Sequence, residues 1–507
     1  MTARLGNLPP TRIEKLETFL IERWCLLRIH CEDGTVGTGE AGVHGWPRPT
    51  AAMIDEMKSY LVGRDPSTIE HHAQALQRHS HFMGALVGGA ISAIDIALWD
   101  IKAKRYGVPI YELMGGKTRD RVRCYMHAKG NTLDELVADA VAKQRQGFTA
   151  IRFSPFAPDY HLRKSFEEWV SEAERRVGAV HEALQGDADI CIELHRQMNP
   201  AESIALGQRL QKFHPYFYED PMLPDSPAMM GDVQARSGLP VATGERFSSI
   251  FQFQELLASN GCAYVRPDVC LCMGLTGSKK VAAMAEAHHV KVIPHNPLSP
   301  ISTAACVQLD ACIPNFALQE YTGESAPPKR DMVVQPLVLK DGYLEVPDAP
   351  GLGIELNDSA LAEEYIEGRE FYVGVLGNGQ PKALPPVEVD FTGFPEGAPK
   401  VLDSKAKWDE RSKEYKGTKS VLANLPDELR ARLQKVAVDA YRALRVRDYG
   451  RVDLRLTETG DIYVLEVNAS CYLERSSEFA MSAAASGIDY PKLIERIVEL
   501  ALERYRR

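Results

Sequence analysis

A chain of 507 residues with 45% hydrophobic and 25% charged residues has the composition of an ordinary globular protein, with room for about three domains or fewer if one is a barrel. The formal charge of −10 is small for this length, which argues against a nucleic-acid or membrane surface as partner. The first residues, MTARLGNLPPTRIEKLETF, lack the apolar core of a signal peptide, and no run approaches the roughly 18 apolar residues of a membrane span.

Alternation from about residue 12 to 38 predicts antiparallel strands, with Asp33-Gly34 as a turn. Helical periodicity follows from Ala51 to Tyr106. From Arg123 eight strand candidates appear: RCYMHA, TAIRFS, ICIEL, YFYED, PVATGE, AYVRPD, VKVIPH and FALQEY. Amphipathic stretches such as LDELVADAVAKQRQ and SKKVAAMAEAHH separate them. Strands alternating with helices imply a parallel sheet, and eight of them close most simply into a barrel. The ten cysteines are scattered; Cys124, Cys191 and Cys262 lie inside strand candidates, and the closest pair is Cys270 and Cys272. That usage predicts reduced, packed thiols in a cytoplasm rather than disulfides or a zinc site.

The strand ends carry the chemistry. Glu193, Glu219 and Glu245 close the third, fourth and fifth strands, 26 residues apart twice over. Consecutive βα units bring such side chains to one rim, where three carboxylates can hold a hard divalent cation. The next three strands end in Asp268, His295 and Glu320. A cation there can bind a substrate carboxylate and stabilise the enediolate formed when the adjacent carbon loses its proton. His295 is the candidate base, oriented by Asp268; a core histidine is the alternative. His195, two residues past Glu193, should point to the same side of an extended segment, as proton donor or metal ligand. Glu320, if protonated, would hydrogen-bond the developing oxyanion; otherwise it makes a structural bond.

Residues 1 to about 360 resemble the enolase superfamily, in particular its mandelate racemase branch and galactonate-type sugar-acid dehydratases. The segments carrying the likeness are AISAIDIALWDIKAKRYGVPIYELMGG, IELH, FYEDP, ATGERF, YVRPD and VIPHNPLSPISTAA. The resemblance implies an α+β capping domain (1–122, completed by 326–360) and a modified TIM-type (β/α)7β barrel (123–325). It implies one Mg2+ on Glu193, Glu219 and Glu245, with His195 as acid, His295 supported by Asp268 as base, and Glu320 stabilising the enolate. The chain departs from the pattern twice. Glu193 stands where the branch usually has aspartate, and the second strand ends Arg152-Phe153-Ser154 without the paired lysines that racemases use as second base. The loop GVHGWPRP, with His44 and Trp46, is expected to touch substrate, as is Arg152.

The remaining 361–507 resemble the C-terminal portion of ATP-grasp ligases of the D-alanine–D-alanine ligase type, through EEYIEGRE, RVDLR, YVLEVN and SSEFAMSAAASGIDYPKLIERI. RVDLRL and DIYVLEVN read as strands around an ETGD hairpin turn, while LPPVEVDFTGFPEGAPKV and KAKWDERSKEYKGTKS read as connecting chain or exposed helix. By the likeness Glu363 to Ile366 form an adenine hinge, Arg451 contacts the transferring phosphate, and Asp453, Glu466 and Asn468 bind Mg2+. The earlier parts of that fold have no counterpart, so this α+β module is expected to bind ATP weakly and transfer nothing, as a relic, regulatory tail or fusion product. The expectation for the whole is Mg2+-dependent dehydration of a sugar acid to a 2-keto-3-deoxy acid, in a homo-oligomer. Its rivals are a racemase or epimerase in the same fold, an ATP-dependent carboxylate–amine ligase, and a non-catalytic binding protein.

Overall fold

The computed structural model describes residues 8–156, 165–358, 366–394, 400 and 412–505. Its contacts divide the chain into two units, Met1–Ala362 and Glu363–Arg507.

The first unit begins with three antiparallel strands, β1 (Ile13–Ile21), β2 (Trp24–Cys31) and β3 (Val36–Ala41). The predicted turn is present, with Gly34 at φ +82° and the Asp33 carboxylate accepting from the Thr35 N–H. The helical stretch resolves into α1 (Pro47–Leu61), α2 (Ile69–His79) and α3 (Ala85–Tyr106). Apolar on nearly every side, α3 is buried along most of its length. Two glycines let it lie against β3: a Cβ at Gly39 would stand 2.0 Å from the Ala93 carbonyl oxygen, and one at Gly37 would stand 2.1 Å from that of Ala97.

A barrel follows a short helical turn, α4 (Ile110–Leu113). Its strands are β4 (Arg121–His127), β5 (Ala150–Phe153), β6 (Asp189–Glu193), β7 (Phe217–Glu219), β8 (Val241–Thr243), β9 (Tyr264–Val265), β10 (Lys291–Val292) and β11 (Gln319–Tyr321). All eight fall where the sequence placed them. They pair in parallel from β4 to β10; β11 returns to β4, and a bridge between Val292 and Phe316 closes the ring. Tyr125, Ala150, Cys191, Phe217, Ala242, Ile293 and Leu318 fill the barrel interior, all fully buried. Among the described residues the intervening helices are α5 (Leu133–Arg145), α6 (Phe166–Leu184), α7 (Pro200–Leu210), α8 (Pro227–Ser237), α9 (Ile250–Ala258), α10 (Gly274–Ala287) and α11 (Pro300–Cys312). Reciprocal capping boxes at Thr132/Glu135, Ser165/Glu168 and Asn199/Glu202 fix the starts of α5, α6 and α7. The chain then forms a hairpin, β12 (Leu339–Lys340) and β13 (Tyr343–Glu345), whose second strand pairs antiparallel with β4. Beyond it the Leu352 N–H donates to Asp100 of α3, and the Leu356 carbonyl accepts from Arg28 of β2.

The second unit is a six-stranded sheet in the order β17-β16-β14-β18-β19, with β15 on β14. Its strands are β14 (Arg369–Leu376), β15 (Lys382–Ala383), β16 (Val387–Asp390), β17 (Lys419–Leu422), β18 (Tyr449–Leu456) and β19 (Ile462–Asn468). The expected hairpin is β18–β19, with a bulge between Asp453 and Leu454. Proline and glycine flanking Val387–Asp390 hide a strand that composition reads as connecting chain. A helical turn, α12 (Lys413–Lys416), leads into β17, and α13 (Asp427–Ala443) packs Leu433, Ala437 and Tyr441 against Phe371, Val373, Val452 and Leu454. Helices α14 (Glu478–Ala485) and α15 (Tyr490–Tyr505) complete the unit. Of the expected adenine hinge, Glu363, Glu364 and Tyr365 lie outside the described residues. All ten cysteines are free and buried, and among the described residues no helix is long and apolar enough to cross a membrane.

The β3–α3 contact leaves no room for a methyl group. Gly39→Ala is expected to lower stability by about 1–3 kcal/mol through overpacking, read as a fall in the urea midpoint of unfolding.

Candidate active site

The parallel register sets Glu193 and Glu219 side by side at the ends of β6 and β7. Glu245 follows β8 by two residues, and Asp268 and His295 are bridged partners beyond β9 and β10. The rim predicted from spacing is therefore one cluster, and what fills it is arginine.

Arg152, on β5, places Nε 2.6 Å from Glu219 Oε2 and Nη2 3.0 Å from Oε1, and the same Nη2 is ion-paired to Glu193. Its Nη1 lies 2.9 Å from the His127 ring nitrogens and 3.8 Å from Glu320. Arg266, wholly buried beneath the rim, puts Nη2 3.0 Å from both Glu219 and Glu320 and 3.8 Å from Glu245, and donates to the Tyr125 hydroxyl at 2.8 Å. Arg196 bridges Asp220, at 2.8 Å, and Glu245. Asp220 also accepts from Thr243 Oγ1 at 2.6 Å.

The imidazole of His295 has Nδ1 2.8 Å from Asp268 Oδ2, and Asp268 is held in turn by the Cys270 N–H. Its Nε2 faces Glu245 at 3.6 Å. Burial pulls His295 down, but the carboxylates of Glu245, Glu320 and Asp268 outweigh it and raise it to about 9. Burial opposes the ionisation of Glu320, yet His295, Arg266, His127 and Arg152 hold the carboxyl well below the usual range. It accepts from the Asn296 N–H at 2.9 Å and from Arg266, with His127 Nε2 at 3.0 Å.

Period-two reasoning does not carry past Glu193. The chain leaves the extended conformation, with His195 at φ 51° and Arg196 at φ 64°, and it is Arg196 that turns onto the carboxylates. His195 remains exposed; burial and Arg196 lower its imidazole, while Glu245 favours the protonated form. Of the capping loop, His44 is near enough to feel the charge of His295, whereas Trp46 stands 65% exposed before α1. Sequence reasoning missed His127, Arg196, Asp220 and Arg266; the charged pairs Arg196 and Asp220 beside predicted site residues were the available signal.

In the second unit Arg451 makes a two-pronged pair with Asp453, at 2.7 and 2.9 Å, and reaches Glu478 at 3.3 Å. Asn468 Nδ2 donates to Asp453 at 3.2 Å, and Glu466 is its cross-strand partner. The four residues singled out there lie together on β18 and β19, with Asp453 engaged by Arg451.

Charge decides what the barrel rim can hold. Six carboxyl groups (Glu193, Glu219, Asp220, Glu245, Asp268 and Glu320) face three guanidinium groups and the His295 imidazolium, an excess of two negative charges. Burial with neighbouring carboxylates pushes Glu193 up to about 8, against the pull of Arg152, and Asp220 up to about 7. One divalent cation would supply the missing charge, and carboxylate oxygens are the donors Mg2+ prefers, so the donor set fits it in kind and in charge. Among the described residues no three His, Cys, Asp or Glu side chains stand in an arrangement that could already hold a metal ion. The Arg152 guanidinium pairs with both Glu193 and Glu219.

Comparisons with known proteins agree with this geometry. Residues 7–115 match the mandelate racemase / muconate lactonizing enzyme N-terminal domain, 135–360 the enolase C-terminal domain-like family, and 345–499 the D-ala D-ala ligase C-terminus. The D-galactonate dehydratase of Pectobacterium atrosepticum is 33% identical over 360 residues, spanning 69% of this chain and 94% of that protein. That of Verminephrobacter eiseniae is 34% identical over 361 residues, with 69% and 94% covered. Among solved structures, a candidate galactarate dehydratase from Agrobacterium radiobacter with sodium and L-malate bound is 30% identical with a TM-score of 0.66, covering 70% of this chain and 97% of that one. A candidate dehydratase from Salmonella enterica serovar Typhimurium is 29% identical with a TM-score of 0.66, covering 69% and 98%.

Arg266 is the buried counterion of Glu219 and Glu320 together. Arg266→Met is expected to cost about 3–5 kcal/mol, because it removes the counterion that two buried carboxylates share beneath the rim; urea unfolding of the full chain measures it.

Proposed function

The chain belongs to the mandelate racemase and muconate lactonizing enzyme family of the enolase superfamily, and from that premise we propose that it is a hydro-lyase removing water from a sugar acid to leave a 2-keto-3-deoxy acid. The observation that carries the reading is the His295–Asp268 dyad facing a carboxylate-rich rim on which Arg152 stands where a racemase needs a base.

Mg2+, held by Glu193, Glu219 and Glu245, supplies when bound the positive charge that makes the C–H beside a substrate carboxylate acidic. His295 takes that proton at Nε2 in its neutral form, reached once Glu245 is drawn to the cation and no longer holds the imidazole charged, while Asp268 keeps the other ring nitrogen and fixes the tautomer. His195, exposed just past Glu193, delivers a proton to the departing β-hydroxyl; burial and Arg196 lower its imidazole, with Glu245 acting against them. Arg152 grips the substrate carboxylate with a planar fork. Glu320 orients Arg266 and His127.

Epimerisation needs a second base opposite His295. Burial works against the charge on Arg152, but Glu219 and Glu193 outweigh it and hold the guanidinium well above its usual range, so it cannot take a proton. In the second unit Arg451 occupies the Asp453 carboxylate that would hold an ion on nucleotide phosphates; we read this module as a nucleotide-site remnant without phosphoryl transfer.

The purified full chain, supplied with Mg2+ and a panel of aldonic and aldaric acids, is expected to form a keto acid that reacts with semicarbazide. His295→Asn should cut turnover by about 10²–10⁴-fold and abolish exchange of the carbon-bound proton in D₂O. Undiminished turnover and exchange in that variant would sink the assignment.

A further inference from the structure

Two arginines share the carboxylates of the rim, and their situations differ. Arg266 has no exposed surface and is fastened from below by Glu219, Glu320 and the Tyr125 hydroxyl. Arg152 enters from β5 with its side chain 7% exposed; its Nε and Nη2 meet Glu193 and Glu219, and its Nη1 meets His127, with Glu320 3.8 Å away. Glu193 and Glu219 are two of the three carboxylates assigned above to the divalent cation. Both oxygens of Glu219 are engaged: Oε2 by Arg152, and Oε1 by Arg152 and Arg266 together. The same lone pairs cannot serve a guanidinium and a small hard cation at once.

We propose that Arg152 is an internal competitor for the cation, holding Glu193 and Glu219 until the ion takes them and then turning its freed fork to the substrate carboxylate. The proposal rests on the metal and substrate reading above and adds an order of events to it. A guanidinium deprived of its carboxylates in this enclosed setting stays attracted to any anion within reach. Its release therefore raises affinity for a carboxylate ligand. Linkage makes the effect reciprocal, so an anionic ligand that captures Arg152 tightens the cation. Arg152 is in this sense a positioning residue for the ion and a binding residue for the substrate.

The test uses the full chain stripped of divalent ions by chelator, with Mn2+ alone as probe and electron paramagnetic resonance as readout. If Arg152 competes, Arg152→Met binds one Mn2+ at least about tenfold more tightly than the unaltered protein. Arg152→Lys, which keeps the charge but loses the fork, should fall between the two, and it serves if the methionine variant fails to fold. Equal or weaker Mn2+ binding in both variants would overturn the competition. Absence of Mn2+ binding in all three proteins at millimolar ion would instead remove the metal assignment, and the proposal with it. The second half is read separately at saturating Mn2+, where Arg152→Met should raise the KM for the sugar acid about tenfold or more. An unchanged KM there would show that the freed guanidinium does not meet the substrate.

Discussion

Carboxylates crowded at the mouth of a barrel have to be neutralised, and that requirement shapes this site more than any single contact. Removing an unpaired carboxylate from water costs several kcal/mol, and six of them meet here. Arg266 answers from beneath, linking strand ends that come from the fourth and eighth positions of the ring. Arg196 answers from the rim through an unusual left-handed turn, and His295 does so with an imidazolium. Burial and neighbouring carboxylates push Glu193 and Asp220 up, as expected where carboxyl groups outnumber the cations beside them.

The capping part of the first unit is tied to the rim by buried polar contacts. Glu40, with no exposed surface, accepts from Ser299 Oγ at 2.6 Å and from the Ser302 N–H at 3.0 Å at the start of α11. Asp95 of α3 accepts from the Thr276 N–H at 3.0 Å. The loop after β3 then passes so close to the dyad that a Cβ at Gly42 would stand 2.9 Å from Asp268 Oδ1. Its N–H donates to the Cys270 carbonyl at 2.7 Å. This seats His44 within electrostatic range of His295 and leaves Trp46 in solvent. The capping loop thus reaches the reacting end of the barrel through its first residues, not through its tryptophan.

The second unit has a polar sheet face with its charges turned on one another. Arg451 lies over the Tyr372 ring at 4.1 Å and clasps Asp453, and Asn468 adds its amide to the same carboxylate. Burial pushes Asp453 up to about 7 against the pull of Arg451, with Glu466 adding to the rise. A carboxylate so placed is satisfied within the protein.

Spacing alone determined a good deal. Eight apolar runs at barrel intervals, six of them with an ionisable residue near the C-terminal end, could hardly fold otherwise, because parallel strands of one ring present their C-terminal ends to one face. The glutamates at 193, 219 and 245 and the 268–295 pair were legible for that reason. The path beyond a strand end was not, since a turn of two left-handed residues has no period; Arg196, for which nothing was expected, turns onto the carboxylates there. A β-strand flanked by Pro385, Pro386 and Gly393 was equally hidden, because a four-residue strand is decided by its neighbours. The charge state of the rim also lay beyond the sequence. Whether an arginine on β5 faces solvent, substrate or carboxylates depends on what the other strands bring within 3 Å of it, and only closure of the barrel settles that.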